Sequence, residues 1–328
     1  MSQAYHSIRG QAVIKLYVVF NVLEIFDKLL ASFGQDLLEI LYSAVRRKRR
    51  WRGGLLLDFG IALLYITLHT FVLFYHSVAL NVAINSHSTI LITLLISNNF
   101  VELKSNVFKK CEVENLFQVS CSDMVERFQL STYLLLTGVQ FVCEQRHELA
   151  DGWAHNQKLF QMLYAISMIL GSEFIIDWIK HAFVIKFNRI SPSVYGRFMN
   201  ILCSDVQYAI SSDTRQVTRA GGAMPHEHST WVSARMGFVP IPLFCLVVRV
   251  VGHDVWPLLN GRHPSGVLLC TLVWLVACAL KLLTTITLLG FACERTERTA
   301  ADMRAERPGG KGFLEGIGRY TLHGKRIM

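Results

Sequence analysis

The sequence predicts an all-α fold: a polytopic α-helical membrane protein with about five to six membrane segments behind an N-terminal amphipathic helix. Three observations carry that expectation. Of 328 residues, 52% are hydrophobic and only 17% charged, against about 25% charged in an ordinary soluble domain. Apolar runs with few charges recur along the chain, and about 20 such residues cross a bilayer. The formal net charge of +9 sits in stretches beside those runs. No zinc-finger spacing, RNP-like strand or extended basic helix accompanies it, so nucleic acid is not expected as a partner; the lipid bilayer is.

Residues 1–54 read as an amphipathic helix followed by a basic cytosolic flank. Over 12–45 the chain is mostly apolar, but Asn21, Glu24, Lys28, Ser32, Gln35 and Glu39 recur at three- and four-residue steps. They fall on one narrow wedge of a helix that lies in the interface or packs along a bundle. Ser32-Phe33-Gly34 is a candidate kink, because glycine costs about 1 kcal/mol relative to alanine in a helix. Arg46, Arg47, Lys48, Arg49, Arg50 and Arg52, with Trp51 among them, form a cluster suited to anionic lipid at a cytosolic membrane face.

The membrane domain is expected over 55–293. Its candidate segments are 55–80, the short 90–96, 130–143, 159–179, 238–251 and 267–293. Several are shorter than about 17 residues and would be tilted, re-entrant or extended by polar flanks. The Lys/Arg-rich stretches around Arg46–Arg52, Lys104–Lys110, 180–235 and the tail after Cys293 alternate with the poorer stretches 144–158 and 252–265. Because Lys and Arg accumulate on the cytosolic side, three hairpins satisfy that pattern, with both termini cytosolic; a single span at 55–80 followed by an interfacial 90–96 is the alternative and would place Lys104–Lys110 in the lumen. A cytosolic helical loop is expected near 181–237, starting at Ser191-Pro192-Ser193 and broken by the Gly-rich stretch around Gly221-Gly222. Residues 294–328 read as a cytosolic tail, partly disordered.

Eight scattered cysteines without a C-x-x-C pair signal neither a zinc site nor a disulfide framework. The N-terminal stretch lacks the pattern of a removable signal peptide, so targeting is expected from an internal segment. The absence of any Asn-x-Ser/Thr sequon favours small lumenal loops.

The ionisable residues expected inside the membrane are the functional candidates. Glu173 and Asp177, with Lys180 and His181 a turn further, share one helix face; such groups are costly in a bilayer and mark functional sites by default. Acid–base work, ion passage or a metal held by Glu173, Asp177 and His181 are each conceivable. The simpler reading pairs Lys180 with Asp177 and lets Glu173 meet Lys281 or Arg249 from another span, since buried charge is usually neutralised by a partner. Lys281 sits mid-run and needs a partner or water, whereas Arg249 can snorkel from a helix end. His226 and His228 are two apart in a Gly/Pro-containing loop with no further ligands, and no metal is expected there. No nucleophile elbow, phosphate loop, His-Glu-x-x-His or kinase signature occurs. No enzyme, cofactor or small-molecule ligand is predicted. A transporter or receptor using the buried charges is the alternative.

Nine stretches in order carry a family resemblance: Arg9-Gly-Gln-Ala-Val-Ile-Lys-Leu-Tyr17, Phe33-Gly-Gln-Asp-Leu37, Leu80-Asn-Val-Ala-Ile-Asn-Ser-His87, Ser97-Asn-Asn-Phe-Val-Glu-Leu-Lys104, Val107-Phe-Lys-Lys110, Lys180-His-Ala-Phe183, Lys186-Phe-Asn188, Arg235-Met-Gly-Phe-Val-Pro-Ile-Pro242 and Arg319-Tyr-Thr-Leu-His-Gly-Lys-Arg-Ile327. As a set they resemble the transmembrane anterior posterior transformation protein (TAPT) family. The resemblance implies a multipass protein of the endoplasmic-reticulum membrane, and apolar segments with few buried ionisable groups, which bind other spans through small and polar residues, lead us to expect a non-enzymatic scaffold. The resemblance further implies work beside a membrane protein with a SUN-like lumenal domain in protecting newly made proteins. In animals it implies ciliogenesis and axial patterning, with the centrosome or cilium base as a further location. The family has no established catalytic residues to carry over.

Overall fold

The computed structural model describes residues 13–46, 52–85, 110–145, 152–218, 235–255 and 264–305, with isolated positions between 93 and 104. The described residues form α1 (Val13–Arg46), α2 (Arg52–Asn85), α3 (Val113–Gln145), α4 (Gly152–Asn188), α5 (Val194–Thr218), α6 (Pro240–Val250) and α7 (Pro264–Ala305). A single π-helical turn, Val251–Val255, continues α6. No strand occurs among the described residues.

Three helices among the described residues are long and apolar enough to cross a bilayer: Gly54–Asn85 in α2, Gln157–Asn188 in α4 and Thr271–Thr299 in α7. The shorter apolar stretch Pro240–His253 is too short to span straight. The expected segment 130–143 is the C-terminal half of α3, whose first half is polar. Most of 90–96 lies outside the described residues.

Two helices run further than the sequence suggests. The helix through Lys180 continues to Asn188, where Arg189 turns to φ 54° and Pro192 follows. Asn188 secures that end, its Oδ1 accepting from the Cys111 backbone N–H at 2.8 Å while its amide donates to the Val184 carbonyl at 3.0 Å. Helix α7 passes Cys293 and runs to Ala305, so the first turns of the expected tail are helical. Arg298 pairs with Glu294 one turn back, and the alanine-containing stretch that follows suits a helix.

α1 and α2 form an antiparallel hairpin. Leu16 packs against Val78, Ala79, Val82 and Ala83 at one end, Asp27 meets His69 in the middle, and Gly34 meets Tyr65 at the other. α1 stays a single helix through Gly34. The glycine serves approach rather than bending: a Cβ there would overlap the Tyr65 hydroxyl. On α2 the buried residues Ala62, Tyr65, His69, Leu73, His76, Leu80 and Ala83 recur every three or four positions and so form one stripe.

The main apolar core joins four helices through Leu73 and Leu80 of α2, Tyr133 and Leu134 of α3, Met162 and Ile169 of α4, and Leu243 and Leu246 of α6. Within it the Asn81 amide donates to Gln140 Oε1 at 3.1 Å, satisfying two polar side chains between α2 and α3. A second core, at the far end of α4, gathers Leu116, Phe117, Val184, Val194 and Phe198 from α3, α4 and α5. The chain enters α6 through Gly237, whose φ of +74° favours glycine, and Pro240 then sits in the first helical turn. Arg235 forks onto Asp205 and so ties this entry to α5.

Gly34→Leu is expected to destabilise the α1–α2 hairpin by about 1–3 kcal/mol, the cost of overpacking, with Tyr65→Ala in the same chain recovering most of the loss. A double-mutant cycle on thermal unfolding in detergent measures it; additive effects would show that the two residues do not meet.

Candidate functional site

The first half of α3 is polar because one of its faces meets the end of α4. There Lys180, only 2% exposed, places its ammonium 3.0 Å from Asp123 Oδ1 and 2.9 Å from Asp177 Oδ1. Arg127, one turn after Asp123, stands 3.3 Å from Asp177 Oδ2 through Nε, and its guanidinium lies 5.3 Å from the centre of the Phe174 ring. Two carboxylates thus face an ammonium and a guanidinium. The exchange is close to neutral, which lets the group be buried without stranded charge.

His181 extends the cluster. Its Nε2 is 2.9 Å from Asp123 Oδ2 and its Nδ1 is 2.9 Å from the Tyr195 hydroxyl on α5. A carboxylate accepts, so Nε2 carries a proton and donates. In neutral imidazole Nδ1 then accepts from the tyrosine. Burial alone would raise the Asp123 carboxyl, but the His181 hydrogen bond with the Lys180 charge and hydrogen bond holds it below its ordinary value. Burial, followed by the Asp123 and Cys111 charges, pushes the Tyr195 hydroxyl up to about 12. That hydroxyl is a hydrogen-bond donor at neutral pH, the opposite of an activated nucleophile.

The same three residue types recur between α1 and α2. Asp27 Oδ1 is 2.7 Å from His69 Nε2, and the Tyr65 hydroxyl is 2.8 Å from His69 Nδ1. Both histidines are held through both ring nitrogens, His69 joining α2 to α1 and His181 joining α4 to α3 and α5.

Of the expected network, Asp177, Lys180 and His181 come together in the α3–α4 cluster. Glu173 is buried one turn earlier and lines a cavity between α1, α2, α3 and α4. Arg249 and Lys281 are exposed on α6 and α7, and α7 packs against α5 on the flank of the bundle. A metal at Glu173, Asp177 and His181 is replaced by the Lys180 ammonium and the Asp123 carboxylate; no group of three or more metal-capable side chains occurs among the described residues. Of the basic cluster, Arg46 ends α1 and Arg52 opens α2, while Arg47, Lys48, Arg49 and Arg50 lie outside the described residues, as do His226 and His228. Among the described residues no disulfide joins the cysteines, and burial pushes the Cys121 thiol up to about 11.

Asp123, Arg127, Tyr195, Asp27, His69 and Tyr65 do not stand out in the sequence. The available signals are the i,i+4 pair Asp123/Arg127 and the four-residue step from Tyr65 to His69 within an otherwise apolar run.

Membrane-length helices joined by buried ion pairs and hydrogen bonds define the class: a polytopic α-helical membrane protein. The chain belongs to the eukaryotic membrane protein family, whose model matches residues 1–297, and within it to the TAPT proteins. It is 41% identical over 295 residues to the transmembrane anterior posterior transformation protein 1 homolog of Danio rerio, covering 89% of this chain and 48% of that one. To the TAPT1 homolog of Dictyostelium discoideum it is 40% identical over 312 residues, 90% of this chain and 35% of the relative. To endoplasmic reticulum membrane protein 65 of Schizosaccharomyces pombe it is 39% identical over 270 residues, 80% of this chain and 40% of the relative. The chain thus spans half or less of the length of these relatives. No solved structure matches it.

Removing the Lys180 ammonium leaves Asp123 and Asp177 facing one another. Lys180→Met is expected to cost about 3–5 kcal/mol, read as thermal unfolding in detergent against the parent chain. The Asp123 carboxyl is lower in the folded than in the unfolded chain, so its contribution is full above its unfolded value. It is lost as pH falls through the lower folded value. The stability advantage of the parent chain over Asp123→Asn should therefore shrink below about pH 4; an advantage constant from pH 7 to 3 would contradict it.

Proposed function

We propose that this chain is a non-catalytic subunit of an endoplasmic-reticulum membrane complex and holds partner spans. Helix α7 carries the reading. Its membrane-length part, Thr271–Thr299, has none of its most apolar stretch buried within the chain. Its substantial contact among the described residues is with α5, where Arg295 Nε donates to Asn200 Oδ1 at 2.7 Å and its NH2 group to the Gly196 carbonyl at 3.3 Å.

Midway along that exposed helix stands Lys281. A lysine at the centre of a spanning helix costs about 2.5–3.5 kcal/mol, and its distance from either helix end limits snorkelling. A carboxylate or polar group on a neighbouring span removes that cost, so α7 is the face offered to a partner. The engaged imidazoles of His69 and His181 and the raised Tyr195 hydroxyl support a structural rather than catalytic use of the buried polar groups.

The remaining features follow the relatives. The name of the fission-yeast relative supports the endoplasmic reticulum as location. By resemblance the partner is a membrane protein with a SUN-like lumenal domain, the task is protection of newly made proteins, and in animals it extends to ciliogenesis and patterning. Loop charge supports cytosolic termini, with the excursion that contains α5 on the same side.

The test is co-purification of the tagged chain from mild detergent with quantitative mass spectrometry. The expected result is a SUN-like membrane protein at near-equal amount, with recovery falling several-fold in Lys281→Leu while the abundance of the chain itself is retained. Turnover or transport by the purified chain alone would sink the reading.

A further inference from the structure

Lys281 is the only charged residue between Ser265 and Ala292, and the next charge on α7, Glu294, lies about 20 Å further along the helix at 1.5 Å per residue. The positions that surround Lys281 on a helix surface, three and four residues to either side, are Ala277, Cys278, Thr284 and Thr285. All four are short. The two threonine hydroxyls turn back and donate to the Lys281 carbonyl at 2.9 Å and 2.8 Å, so neither calls for a partner of its own. The opposite side carries larger groups, Leu272, Val276, Leu283 and Ile286 among them, all exposed. One side of α7 is thus a low strip with an ammonium at its centre, and the other is bulky and apolar.

The strip is continuous with a contact that the chain already makes. About three and four turns after Lys281, on the same side of the helix, Ala292 is 2% exposed and Arg295 donates to Asn200 and to the Gly196 carbonyl of α5. The side of α7 that closes on α5 at one end is therefore the side left open along its membrane-length part.

We infer that this strip seats one transmembrane helix of a different protein, carrying an aspartate or glutamate at mid-bilayer depth. The inference rests on the subunit reading above and adds the chemistry of the partner and the side of α7 that it grips. The carboxylate follows from charge: an ammonium surrounded by hydrocarbon needs an anion, and a neutral amide or hydroxyl leaves the charge uncompensated. A lipid headgroup stays at the interface, far from the centre of a hydrocarbon layer about 30 Å thick. A second copy is unsuited, because a symmetric pair in one membrane runs α7 parallel to α7 and sets Lys281 against Lys281. The helical form follows from the short side chains, which let a second backbone approach closely, and from the need of any segment in hydrocarbon to satisfy its own peptide groups.

The test uses the full chain in phosphatidylcholine vesicles with synthetic transmembrane peptides of about 20 leucine and alanine residues. The peptides differ at the central position alone, Asp, Asn or Leu, and binding is read as energy transfer between labelled chain and labelled peptide. The Asp peptide should bind about tenfold tighter than the Leu peptide, and the Asn peptide should fall between them. That preference should vanish in Lys281→Leu and pass to a central-Lys peptide in Lys281→Asp. Ala277→Phe should weaken the Asp peptide several-fold, whereas Leu283→Phe, on the opposite side, should leave it unchanged. Equal binding of the Asp and Leu peptides to the parent chain overturns the inference without any variant having to fold, as does a preference that survives Lys281→Leu. Copies of the chain crosslinked to each other through Cys278 would make a second copy the occupant and overturn it as well. The subunit reading is decided separately: a partner that co-purifies equally with Lys281→Leu and with the parent overturns the strip and keeps the subunit, while a parent chain recovered alone that still selects the Asp peptide keeps the strip and sinks the subunit.

Discussion

The Lys180 ammonium between Asp123 and Asp177 is the constraint on which the bundle depends. A lysine this buried is tolerated only where opposite charge and hydrogen bonds replace water, so its two carboxylates dictate how α3 and α4 approach each other. His181, the next residue, hangs from the same Asp123 and reaches α5 through Tyr195. Position and rotation of three helices therefore follow from one buried charge. Apolar packing could not supply this on its own, because lipid chains are as apolar as the helix faces and exert little preference for one rotation over another.

The recurrence of Asp–His–Tyr between α1 and α2 answers the same difficulty at the other side of the bundle. Imidazole suits it because it donates on one side and accepts on the other while carrying no obligatory charge. The carboxylate fixes the tautomer and the tyrosine fills the remaining nitrogen. In each set both ring nitrogens are engaged, which fixes the imidazole and, through the carboxylate on the neighbouring helix, resists rotation of a helix about its own axis.

Much of the fold is legible in the sequence, because long apolar runs dictate α2, α4 and α7, and the polar wedge of α1 states that the helix has two unlike faces. The use of that wedge is not legible: Glu24, Lys28 and Gln35 line a partly open cavity that exists only once four helices are assembled. Helix ends are misjudged where polar residues look like loops but serve as contacts, as Asn188 and Arg295 do. The functional side chains divide in the same way. Glu173, Asp177, Lys180 and His181 are visible because charge inside an apolar run is conspicuous, whereas Asp123 sits in a polar half-helix where one more aspartate carries no signal. Tyr65 and His69 are hidden by chemistry, being amphipathic groups that an apolar run accommodates without comment.

α4 is 37 residues long, about 55 Å at 1.5 Å per residue, well beyond the hydrocarbon thickness of a bilayer. It carries Glu173 at the cavity and Val184 in the second core, with the buried ion cluster between them acting as a fulcrum. A helix without a proline along this length behaves as a stiff lever, so a tilt of about 10° about that cluster, with arms of about 8 Å to Glu173 and to Val184, displaces the two positions by about 1.4 Å in opposite senses. A shift of α4 at the cavity is therefore carried along one rigid element to the core that it shares with α5.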